Sequence, residues 1–97
     1  MDTLSQDLSN FLMRMHLQPS SVNERIEHFM KHLIYLLPDE DVRLVSAFYG
    51  INDCQLTSVA ALAEKNGCTV LELQQRIEQD IRRLAVTPEW QMIKQLI

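Results

Sequence analysis

The stretch from Ser58 to Leu84, SVAALAEKNGCTVLELQQRIEQDIRRL, constrains this chain more than any other, because it reads as two helices joined by a tight turn. Ala63, Gly67 and Leu73 stand where such a unit needs a small residue for close helix contact, a turn residue that tolerates positive φ, and an apolar plug. Thr69-x-x-Glu72 spells a capping box, in which the hydroxyl accepts from an orphan N–H of the first turn and the carboxylate reaches back. Loss of such a cap costs about 1 kcal/mol, so a new helix is predicted to begin at Val70. Val70, Leu73, Ile77, Ile81 and Leu84 recur at helical spacing and form its buried stripe.

The rest of the chain reads as support for that unit. Leu4, Leu8, Phe11, Leu12 and Met15 predict an amphipathic first helix over residues 3–17, ended by Gln18-Pro19-Ser20 because the residue before proline is pushed out of the α region. Ser21-x-x-Glu24 reads as a second capping box, opening a helix whose apolar residues Val22, Ile26, Phe29, Met30, Leu33, Ile34 and Leu37 carry it to about Leu37. Pro38 breaks it and starts a third, where Asp39, Glu40 and Asp41 put negative charge at the positive end of the helix dipole and Gly50 offers an αL cap. Residues 51–57 form a polar connection, and Thr57 or Ser58 caps the fourth helix. The fifth runs to about Ala85 or Val86, and Thr87-Pro88-Glu89 opens a sixth with Trp90, Ile93, Leu96 and Ile97 as its apolar residues.

Two glycines and three prolines among 97 residues make a helix-forming composition, and no segment alternates with period two. The expected fold is all-α: one domain over residues 1–97, a compact bundle of six helices, with an N-terminal helical pair at 1–37 and the turn-containing unit at 38–97. A chain of this length can bury roughly two thirds of its unfolded surface around a single core. Formal net charge is −4, and it lies unevenly: residues 1–56 hold four basic and eight acidic side chains, residues 57–97 five of each. A phosphate-binding surface is usually basic, and here the helix-turn-helix half is only neutral. No secretory signal pattern and no apolar run approaching eighteen residues is present, so a cytoplasmic protein with no membrane partner is expected. Cys54 and Cys68 are expected to be free thiols.

From Leu37 to Ile97 the sequence resembles the fourth conserved region of the bacterial primary sigma factors, the part of that family that binds the −35 promoter element. LPDEDVRLVSAFYGIND is similar to that family's opening helix and the bend after it, SVAALAEKNGCT to its first helix-turn-helix helix and turn, and Ile81-Arg82-Arg83-Leu84 to its aliphatic-Arg-Lys-Leu end. A LuxR-type helix-turn-helix is similar too, with a shorter connection between its helices. The resemblance implies a recognition helix that enters the major groove, promoter DNA and the RNA polymerase core as partners, and a role in transcription regulation. Where the family places Arg and Glu after the capping residue, this chain has Val70 and Leu71, which can touch a thymine methyl but supply no bidentate hydrogen bonds. The family's separate promoter-melting region is not expected within these 97 residues.

Two functions follow as expectations. In the first, a small regulator binds promoter DNA, with Gln74 and Gln75 toward bases, Arg82 and Arg83 toward phosphate, and Arg76 in the same DNA-binding strip. In the second, Val70 and Leu71 form part of a protein interface, and the molecule is an adaptor or anti-sigma-like module that contacts the polymerase core or another transcription regulator. A homodimer through the apolar faces of the first two helices is a further open partner, with Met13, Met15 and Met30 suited to adaptable contact. His28 and His32, four apart with Glu24 one turn earlier, have a spacing that can hold a metal, but no further ligand is identifiable, and no metal or cofactor is expected. No phosphate loop, Ser-His-Asp or Cys-His arrangement is found, so an enzyme is not expected.

Overall fold

Most helices of this chain begin where a side chain can take up an orphan amide. A computed structural model, which describes residues 1–97, has α1 at Thr3–Leu17, α2 at Glu24–Ile34, α3 at Asp39–Tyr49, α4 at Val59–Asn66, α5 at Val70–Ala85 and α6 at Pro88–Leu96, with a 3₁₀ turn at Pro19–Ser21 and no strand. Asp2, Asn23, Ser58, Thr69 and Thr87 each accept an amide three residues on, at 2.8 to 3.2 Å. α3 has no side-chain cap, and Asp39, Glu40 and Asp41 in its first turn complement the dipole instead.

The expected capping box at Ser21 is not formed. Asn23 caps α2 through Oδ1, which accepts from the Ile26 amide at 2.8 Å, so Val22 lies outside the helix. Ser21 is held elsewhere: its hydroxyl donates to the Gln18 carbonyl at 2.7 Å and accepts from Arg14 Nε at 3.0 Å. α2 also stops at Ile34, three residues short of the expected Leu37, because Leu36 and Leu37 fold back into tight turns on Leu33 and Ile34.

A core of 22 buried residues joins the six helices. α1 lies along α5, α4 packs on α5, and α2 packs on α6. Leu8 and Leu12 of α1 and Met30, Leu33 and Ile34 of α2 are fully buried, so the N-terminal pair completes the monomer's own core. Truncating one such side chain to alanine costs about 2 to 5 kcal/mol. Phe11 meets Trp90 at 6.1 Å between ring centroids, tying the first helix to the last. Leu4, Leu96 and Ile97, expected inside, are exposed, while Ser5 and Ser9 of α1 are buried. The buried face of α1 is turned toward α5 and α3, and the Ser9 hydroxyl pairs with the Tyr49 hydroxyl of α3 at 2.7 Å. No helix is long and apolar enough to cross a membrane.

Candidate functional site

The connection between α4 and α5 is built as the sequence anticipates. Gly67 takes φ of +66°, the Cys68 amide reaches back to the Ala63 carbonyl at 3.0 Å, and the chain leaves α4 in a left-handed turn. Thr69 then opens α5: its Oγ1 accepts from the Glu72 amide at 3.1 Å and donates to Glu72 Oε1 at 3.0 Å. The Glu72 carboxylate thus holds the cap's hydroxyl in place.

α5 presents three faces. Leu73, Ile77, Ile81, Leu84 and Ala85 are buried against α1, α3, α4 and α6. Gln74, Gln75, Gln79, Arg82 and Arg83 are exposed, interrupted by Glu72 and Glu78. Val70 and Leu71 are both exposed, at 40% and 64%, so Val70 lies outside the buried stripe in which it was expected. The start of α5 is therefore apolar and open to solvent.

The third face is turned to α3 and holds a charge cluster. Arg76 places Nη2 2.6 Å and Nε 2.8 Å from Asp41 Oδ1, and Nη2 lies 3.7 Å from Glu40 Oε2. Hydrogen bonding to Asp41 raises the Arg76 pKa further, so this guanidinium stays charged. One turn on, Asp80 is 3% exposed, and its Oδ2 is buried with no hydrogen-bond partner. Burial first, and the charge of Asp41 second, push the Asp80 carboxyl up to about 6, against the pull of Arg76 and Arg83. Arg82 keeps a long exposed contact with Asp2, 3.8 Å from Nε to Oδ2, which is worth little in water.

Between α5 and α1 runs a cleft of about 810 Å³. Leu71, Gln74, Gln75 and Glu78 line its α5 side, and Met13, His16 and Leu17 of α1 face them. Phe48 and Tyr49 at the end of α3 and Leu56 in the following connection close one end. The Tyr49 hydroxyl is buried against Ser9, and its pKa is raised by that burial. His16 is held by a 3.0 Å contact between Nδ1 and the Gly50 carbonyl. No lysine or arginine lines this cleft, and Glu78 is its one carboxylate.

No protein-family model, curated protein or solved structure matches this chain.

The structure thus brings together Val70, Leu71, Gln74 and Gln75 at one end of α5 and leaves Arg82 and Arg83 exposed at the other, while Arg76 belongs to the α3 contact. Of the cleft residues, Met13 was anticipated as an adaptable contact of the first helix, whereas His16, Leu17, Phe48 and Leu56 were not anticipated as site residues. A usable signal for Leu17 was present: it stands one turn from Met13 on α1, away from the stripe of Leu8, Phe11 and Leu12, as an apolar residue the core does not need.

Proposed function

We propose that this chain is a small transcription regulator with a sigma-like helix-turn-helix, working at promoter-bound RNA polymerase through protein contact. The observation that carries this reading is the start of α5, where Leu71 is 64% exposed and opens onto the apolar cleft with Leu17, Phe48 and Leu56. An exposed apolar end on the helix that the resemblance assigns to reading bases suits a protein partner better than a polyanion. The electrostatics point the same way. Arg76 is engaged by Asp41, Glu72 and Glu78 interrupt the exposed strip, and the formal net charge is −4. With only Arg82 and Arg83 as exposed cations on α5, counterion release would give a salt slope of at most about −2, far from that of a protein making many phosphate contacts.

A second reading, direct promoter binding, is favoured by the open polar strip of Gln74, Gln75, Gln79, Arg82 and Arg83 along α5. In that case the glutamines would face base edges and the arginines phosphates. Fluorescence anisotropy separates the two. Protein contact is supported when the labelled chain binds purified bacterial RNA polymerase core and shows no duplex binding above background at about 50 mM salt. Duplex binding that weakens in Gln75→Ala and Arg82→Ala, without binding to the core, would support direct DNA reading in its place.

A further inference from the structure

On the solvent side of α2, opposite the buried Ile26, Met30 and Leu33, His28 and His32 stand one turn apart and turn their rings toward each other. The ring centroids are 4.4 Å apart at 80°, and the two Nε2 atoms approach to 3.1 Å. Two imidazoles at i and i+4 share a helix face, but nothing in that spacing alone makes both Nε2 lone pairs converge. Here they do. An ion held at the usual 2.0 to 2.1 Å from each nitrogen would subtend an N–metal–N angle of about 98°, between the tetragonal and tetrahedral values.

We propose that His28 and His32 chelate one divalent transition-metal ion through their Nε2 atoms. No cluster of three or more His, Cys, Asp or Glu side chains capable of holding a metal exists in the chain, so the site is two-pronged and water completes the coordination. The ligand atoms are preset by the scaffold: the far face of α2 is locked into the core, which fixes the two Cα positions and reduces the ordering cost of binding. Without metal the same approach is a hydrogen bond in which one ring N–H donates to the other ring's free nitrogen. On binding, the ion takes both Nε2 lone pairs and the ring that donated carries its proton on Nδ1 instead, so both histidines bind as neutral imidazoles. Glu24 and Glu27 on the same helix favour a cation, and Arg25 and Lys31 offset them, which leaves the two imidazoles as the source of affinity. For borderline nitrogen donors the order of affinity is copper above nickel and zinc.

The test is isothermal titration of the full chain with nickel and zinc chloride in a weakly coordinating buffer near neutral pH, alongside proton NMR of the histidine ring C–H signals. One ion per chain is expected, with nickel broadening the His28 and His32 signals before that of His16. Either His28→Ala or His32→Ala removes one prong and should weaken binding by at least about tenfold, while His16→Ala leaves it unchanged. Both histidines are exposed, so circular dichroism should report intact folding in each variant. Affinity that survives His28→Ala, that follows His16, Cys54 or Cys68 instead, or that is absent altogether would overturn the assignment.

Discussion

Arg76 of α5 and Asp41 of α3 are joined through a single carboxylate oxygen, Asp41 Oδ1, which accepts from both Nη2 at 2.6 Å and Nε at 2.8 Å. The central arginine of the exposed helix is therefore a strut between two helices. Asp41 is the more buried partner, and removing the guanidinium would leave its carboxylate short of partners. Arg76→Ala should lower stability by about 1 to 2 kcal/mol in urea denaturation, a figure reduced for the partial exposure of the pair. It should leave the salt slope of any residual duplex binding unchanged, because this charge is not free to release a counterion.

Asp80, buried beside that strut, makes stability depend on pH in an unusual direction. Burial pushes its folded-state carboxyl up to about 6 from an ordinary value of 3.8, so between those limits the folded protein binds more protons than the unfolded chain. Stability should then rise as pH falls from 7 toward 4, and the favourable part is lost as pH climbs back through about 6. The difference is on the order of 2 to 3 kcal/mol. Asp80→Asn keeps the shape without the charge. Thermal melts from pH 4 to 7 should show it more stable than the parent at pH 7, with the Asp80 slope gone.

The two glycines test how a left-handed turn is held. Gly50 and Gly67 have nearly the same φ, +67° and +66°, yet their surroundings differ. A Cβ on Gly67 would meet nothing within 4 Å, whereas one on Gly50 would lie 2.7 Å from His16 Nδ1 and 3.0 Å from the Leu56 Cβ. Gly67→Ala should cost about 1 kcal/mol, the conformational penalty alone, and Gly67→Asn less. Gly50→Ala should cost more, because the same penalty is joined by displacement of His16 from its contact with the Gly50 carbonyl. Equal losses in chemical denaturation would show that the His16 contact carries no weight.

The features legible in the sequence are the local ones. The turn at Gly67, the caps at Thr69 and Thr87, the proline at the start of α6 and the six-helix order all depend on residues within one turn of each other. What escaped was decided by distant packing. Ser21 and Asn23 were both chemically able to cap α2, and the choice fell to Asn23 because Ser21 is drawn to Gln18 and Arg14. Arg76 is a surface residue by periodicity, and only the placement of α3 beside α5 reveals its partner. The cleft is likewise a product of α1 lying along α5, a pairing of helices more than fifty residues apart in the chain that no local pattern encodes.

Leu71 supplies the most direct test of the proposed protein contact, since it is exposed and its replacement does not disturb the core. Anisotropy titration of the labelled chain with purified bacterial RNA polymerase core, run side by side for the parent and Leu71→Arg, is expected to show saturable binding in the parent and at least about a tenfold loss in the variant, as for an apolar anchor residue. No binding by the parent, or equal affinity in both, would contradict a protein-contacting role for the start of α5.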